Sequence, residues 1–235
     1  MAFNSTGRES ESSALYSYVI YGCVVGSRAY GLDIPGSDWD RRGCYPPPAE
    51  RQWSLSGVPE QLENPASEEV YWELQKFLVL ALKANPGVLE CLYSPLVEKV
   101  TPLAQELLDM RQVFLSKLIY QTFNGYALSQ FRKLEQDQRT RGAIRPKHAM
   151  HLVRLLLSAI TALREGYLPV RVPEGPDRDN LLAIRRGEMA WPAIDRWRLE
   201  LHRQLEDAFS STRLPDLPDY GRANTFLIKA RRAAL

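Results

Sequence analysis

Long apolar runs are missing from this chain, and none approaches the roughly 20 residues that a helix needs to cross a bilayer. Met1 to Ser13 is polar and has no apolar signal core, so the expectation is a cytoplasmic protein with no membrane partner. Cysteine is scarce. Cys23, Cys44 and Cys91 are odd in number and widely spaced, which argues against a disulfide framework and gives no zinc pattern. Cys23 and Cys91 lie within apolar runs and read as buried thiols. Histidine is limited to His148, His151 and His202, and no nucleophile motif accompanies them, so a Ser-His-Asp hydrolase has no support. Internal repeats and low-complexity tracts are also absent.

What is present suits a globular chain. With 235 residues, 45% hydrophobic and 25% charged, it can bury a substantial core as one compact domain or two small ones. The net charge of +2 hides an asymmetry. Between Arg132 and Arg154 seven cations face only Glu135 and Asp137, a local +5 that leaves −3 for the rest of the chain. A basic segment beside an acidic centre suits a polyanionic substrate, although a solvated helix face has the same composition.

The most informative stretch runs from Tyr16 to Tyr45. Tyr16 to Val25 is rich in β-branched and aromatic residues and reads as a buried strand. Gly26 and Ser27 follow as a small-residue turn, where the backbone can approach a ligand and a short helix could present N–H groups to a phosphate. Asp38 and Asp40 come next. If Asp38 to Tyr45 is a second strand, both carboxylates project from one face and favour a cation between them. Hard oxygen ligands with few protein partners suit Mg²⁺, which takes the rest of its shell from water and substrate phosphates. A lone Asp-x-Asp is also ordinary turn chemistry, and the preceding Gly-Ser turn is what shifts the balance.

Pro46-Pro47-Pro48 ends the second strand, and residues 47–67, with Gly57, Pro59 and Pro65, read as an ordered loop or flap. A third strand over Glu68 to Trp72 leads into a helix from about Glu73 to Ala84. Asn85-Pro86-Gly87 breaks that helix, and Val88 to Tyr93 reads as a strand or a short helix. Apolar residues then recur at helical spacing through Leu103 to Leu134, Met150 to Leu163, Leu181 to Ile184 and Ile194 to Phe209. If Pro146 begins a helix, Lys147, His151 and Arg154 share a face and could contact a triphosphate or an RNA backbone. Tyr126 and Gln130 share a face by the same rule, with packing the simpler role, and Arg185 is a further phosphate candidate.

Gly26-Ser27 with Asp38-x-Asp40 resembles the pattern of the nucleotidyltransferase superfamily typified by DNA polymerase beta. Gly26-Ser27-Arg28-Ala29-Tyr30-Gly31, taken with Ser37-Asp38-Trp39-Asp40-x-Arg42-Gly43, is similar to the nucleotidyltransferases associated with RNA repair and RNA ligases. So are Leu74-Gln75-Lys76-Phe77, Asn85-Pro86-Gly87-Val88-Leu89-Glu90, Lys147-His148-Ala149-Met150-His151-Leu152-Val153-Arg154 and Leu181-Leu182-Ala183-Ile184-Arg185-Arg186-Gly187-Glu188. The likeness spans residues 16–220.

The resemblance implies an α+β fold: a small mixed nucleotidyltransferase-type sheet with flanking helices, then a mostly helical second half. It places a catalytic domain over 14–100, a helical domain over 101–220, and tails over 1–13 and 221–235. It implies catalytic and metal-binding roles for Asp38, Asp40 and a third carboxylate, which falls on Glu68, with Glu69, Glu73 and Glu90 as substitutes. Gly26, Ser27, Lys147, His151 and Arg154 would bind the nucleotide. The implied cofactor is Mg²⁺, as two ions, with Mn²⁺ as a substitute, and the implied partners are an NTP such as ATP and an RNA end. Two other readings stay open: a non-catalytic nucleotide or RNA-binding module, and toxin-like nucleotidyl transfer to tRNA or protein.

Overall fold

The first strand, β1 (Tyr21–Val24), is buried along its whole length and pairs antiparallel with β2 (Arg41–Tyr45). The computed structural model describes residues 14–235, so the tail expected over 1–13 lies outside the described residues. Between these strands runs the short helix α1 (Gly26–Tyr30), then an irregular loop. The strand expected from Tyr16 starts later because its partner ends. Pro46 stops the ladder, the last bond runs from Ile20 N to Cys44 O at 3.1 Å, and Tyr16–Tyr18 winds into a 3₁₀ turn.

After β2 come α2 (Ala49–Gln52), β3 (Gln61–Asn64) and β4 (Glu69–Glu73). The region expected to be a loop over 47–67 thus contributes a helix and an edge strand. β4 lies parallel to β2, with Arg41 opposite Glu69, and antiparallel to β3. Helix α3 (Leu74–Leu82) starts where the Glu73 carboxylate accepts from Gln75 N and Lys76 N. Helix α4 (Pro86–Tyr93) settles the ambiguity over Val88–Tyr93. Asn85 caps it through Val88 N, proline occupies its first turn, and burial is continuous rather than alternating. β5 (Val97–Val100) then pairs with β1 and completes a mixed sheet of order β3-β4-β2-β1-β5. Gly43 lets β1 and β2 close, since a Cβ there would lie 1.9 Å from Tyr21 O.

The second half is helical: α5 (Pro102–Asp109), α6 (Leu118–Arg141), α7 (Pro146–Glu165), α8 (Pro176–Arg186) and α9 (Trp191–Ser211). α7 is the central element, packed by α6, α8 and α9, and its middle from Leu152 to Leu156 is buried on every side. The expected boundary near residue 100 falls between β5 and α5. A single buried apolar cluster nevertheless crosses it, from Cys23, Cys44 and Cys91 through Phe77 and Leu89 to Leu155 and Leu205. The tail expected over 221–235 needs correction. Tyr220–Arg232 forms helix α10, which packs on α3 and pairs Arg231 with the buried Glu73 at 2.5 Å. Its buried stripe of Ala223, Phe226 and Ala230 is short and small, so its helical period is faint in the sequence.

No helix among the described residues is long and apolar enough to cross a membrane.

Candidate active site

Both aspartates precede β2 rather than lying within it. The β1–β2 ladder continues to Val25 N, which donates to Asp40 O at 2.8 Å. Beyond that point the carbonyls of Ser37 and Asp38 accept from the Arg28 guanidinium of α1, at 2.6 and 3.1 Å, and leave the sheet. Asp38 is therefore held by a side chain and Asp40 by the sheet. The face-sharing expected of a continuous strand does not arise in that form.

Gly26 lies against the Asp40 carboxylate. Its φ is +73° and a Cβ there would lie 2.8 Å from Asp40 Oδ2, so both backbone conformation and space require glycine. Arg42 ties the neighbouring groups together. It reaches Asp40 Oδ1 at 3.4 Å and the carbonyl of Glu68 at 2.7 Å. Asp38 Oδ2 lies 3.5 Å from Lys147 Nζ. Among the described residues, none hydrogen-bonds to Asp38 Oδ1 or Asp40 Oδ2, so each carboxylate keeps one oxygen open. Open carboxylate oxygens are the ligand type Mg²⁺ takes, with water and phosphate oxygens filling the rest of its shell.

Glu68 lies one residue before β4, level with Asp40 in the parallel register, and its carbonyl accepts from Arg41 N at 3.1 Å. Its φ of +54° is uncommon for a residue with a side chain. The side chain is exposed, and among the described residues no group of three or more His, Cys, Asp or Glu side chains converges on a metal-sized site. The substitutes are otherwise engaged. Glu69 accepts from Ser67 at 3.0 Å, Glu73 caps α3 and pairs with Arg231, and Glu90 is buried in an ion pair.

Beside Gly26, Ser27 and Asp40 opens a cleft of about 510 Å³. Arg145, Lys147 and Arg185 supply its cations, while Val25, Gly87 and Met150 supply apolar wall. Arg185 has its Nη2 on Ser37 Oγ at 2.9 Å, and its Nε and Nη1 are buried without a partner. Arg185 lines the cleft, and a buried guanidinium donor without a partner calls for an acceptor. Of the residues expected to bind nucleotide, Gly26, Ser27, Lys147 and His151 line the cleft. Arg154 does not: it is fully buried, bonded to Glu90 and stacked over Tyr30 with its guanidinium carbon 3.7 Å from the ring centroid. Tyr30 donates its hydroxyl to the other Glu90 oxygen at 2.6 Å. Burial pushes the Glu90 carboxyl up, but Arg154, His151 and the Tyr30 bond outweigh it and hold the group below its ordinary value. His151 is driven down to about 4, first by burial and then by Arg154, so its ring is neutral at pH 7.

Sequence reasoning missed Tyr30, Gly87, Arg145, His148 and Met150 as cleft residues, and Arg28 and Arg42 as tethers. The start of α7 at Pro146 was the available signal for Arg145 and His148, which flank it. Arg28 and Arg42 act through carbonyls brought close only by folding.

The chain matches the RNA repair pathway DNA polymerase beta family over residues 7–229 of 235. It is 37% identical over 82 residues to an uncharacterized protein, YcgL, of Bacillus subtilis (strain 168). That stretch is 34% of this chain and 32% of the relative, so the match spans about a third of each. No solved structure matches the chain. The Gly-Ser turn against Asp40, the five-stranded mixed sheet that carries them and a match of nearly full length agree, and the chain belongs to the RNA repair pathway DNA polymerase beta family.

Proposed function

We propose that the protein transfers a nucleoside monophosphate from an NTP to a hydroxyl acceptor, in our reading an RNA end, with Mg²⁺ as cofactor. One observation carries the reading: a single cleft sets the Asp40 carboxylate and Ser27 against Arg145, Lys147 and Arg185. That arrangement matches a metal–triphosphate group, whose charge needs both cations and metal-binding oxygens.

In this scheme Arg185, with two unpartnered nitrogens, and Lys147 hold the triphosphate, and the apolar wall of Val25, Gly87 and Met150 takes the base. Asp38 and Asp40 would hold the metal, and Glu68, at the same end of the neighbouring strand, is the group that would add a second ion. Bound there, Mg²⁺ would neutralise phosphate charge and favour ionisation of the acceptor hydroxyl. The acceptor oxygen attacks the α-phosphorus, the bond to the β-phosphate oxygen breaks, and pyrophosphate leaves. Water at the mouth of the cleft takes the hydroxyl proton, since Asp40 Oδ1 faces Arg42 and Oδ2 is the oxygen that would hold the metal.

A second reading, a non-catalytic nucleotide or RNA-binding module, is favoured by the exposed position of Glu68 away from any three-carboxylate cluster among the described residues. Parallel measurement of NTP binding and pyrophosphate release, for wild type and Asp40→Asn, separates the two. Mg²⁺-dependent release that disappears in the variant supports transfer. Tight binding with no release at any acceptor supports the module.

A further inference from the structure

We propose that Trp39 is the stacking platform for the terminal base of a single-stranded nucleic-acid acceptor. This rests on the transfer reading above and names the acceptor class. Trp39 stands in the chain between the two aspartates and is 48% exposed, although an indole is among the most favourable side chains to bury. One face of its ring is covered by the Arg28 guanidinium, 4.1 Å from the ring centroid. Arg28 is itself fixed, through its bonds to the carbonyls of Ser37 and Asp38 and an ion pair with Asp33 at 3.8 Å. The indole is thus held on one face while about half of its surface stays exposed. A surface cation–π contact alone contributes little and gives no reason to expose so large a ring.

Position and charge identify the occupant. Asp40 lines the cleft and Trp39 does not, so the ring stands on the outer side of the carboxylate loop. With an NTP filling the cleft, an acceptor hydroxyl must reach Asp40 from outside, past that ring. Lys147, itself exposed, touches Asp38 and begins a cationic track that continues through the exposed Arg145 and Arg141, which meet at Asp137, each 3.8 Å from its carboxylate. An aromatic face beside a cationic track is the combination that binds single strands without reading their sequence, because every base has a π-face.

The test is fluorescence anisotropy of the full chain with a labelled, unstructured oligoribonucleotide in the absence of NTP. NTP affinity and pyrophosphate release are measured on the same preparations. Trp39→Ala is expected to weaken RNA binding on the order of tenfold while the NTP affinity holds. Trp39→Phe, which keeps an aromatic face, is expected to retain most of the binding. RNA binding by Trp39→Ala equal to wild type overturns the proposal. So does a wild type that binds NTP and labels a polypeptide but does not bind the oligoribonucleotide, although transfer would then stand. RNA binding that depends on Trp39, in a protein that releases no pyrophosphate with any acceptor, upholds the platform and overturns the transfer reading.

Discussion

Replacing Gly26 with alanine probes the geometry of the site through one added methyl group. Two effects follow from the structure. The φ of +73° is disfavoured for a residue with a Cβ by about 1–2 kcal/mol. The new Cβ would also lie 2.8 Å from Asp40 Oδ2, closer than such atoms approach. The clashing atom is the tip of a side chain, so the carboxylate swings away while the sheet stays in place. Stability should therefore fall by the backbone term alone, lowering the melting temperature by roughly 2–8 °C for a chain of this size. Activity should fall much further. A reacting group displaced by about 1 Å loses on the order of 100-fold in rate. The assay pairs a circular-dichroism melt with pyrophosphate release, for Gly26→Ala, Asp40→Asn and the double variant. If Gly26 acts through Asp40, the double variant releases pyrophosphate no more slowly than Asp40→Asn alone. Turnover of Gly26→Ala within about twofold of wild type would refute the reasoning, because a displacement near 1 Å carries a far larger penalty. Global unfolding would refute the placement of the clash on a movable group.

The buried pair gives a second prediction: Glu90→Gln leaves the fully buried Arg154 uncompensated and should lower stability by about 3–5 kcal/mol in urea, whereas Glu90→Leu with Arg154→Met should regain most of it. Equal stabilities of wild type and Glu90→Gln would contradict that. His151 gives a third. Its folded pKa of about 4 lies below the unfolded value of about 6.5, so its contribution is fully present above pH 6.5 and is lost as pH falls toward 4. The loss is about 3 kcal/mol, and His151→Phe should reduce the slope of the urea midpoint across that window, leaving the share of His202, whose pKa burial also lowers to about 4. An unchanged slope would place the ring in contact with solvent. Arg185→Ala should weaken NTP binding by about tenfold in calorimetry while costing only about 1 kcal/mol of stability, because the one protein bond it loses is that to Ser37 Oγ.

The parts of the fold that follow local rules were readable in advance. Tyr45 ends β2 where Pro46 forbids the ladder, and α3 stops at Leu82 ahead of the breaking Asn85-Pro86-Gly87. The buried cysteines also follow from their apolar neighbours. The parts set by distant partners were not readable. Asp38 leaves the sheet because Arg28 takes its carbonyl, and Arg154 leaves the exposed face of its helix because Glu90, 64 residues away, neutralises it in the core. The spacing of Lys147, His151 and Arg154 correctly puts them on one side of α7, yet spacing cannot say how deep along that side each one lies. β5 escaped notice for a related reason: Val97-Glu98-Lys99-Val100 has no alternating pattern, and β1 recruits it as an exposed edge.

The central claim is that the α-phosphate, and not the γ-phosphate, moves to the acceptor. The most direct test incubates the protein with Mg²⁺, a single-stranded RNA and NTP labelled at either the α- or the γ-phosphate. The account predicts that RNA gains label only from the α-position, with γ-label recovered in pyrophosphate, and that Asp38→Ala with Asp40→Ala abolishes both. Label arriving from the γ-position, or α-label transferred equally well by the double variant, would contradict it.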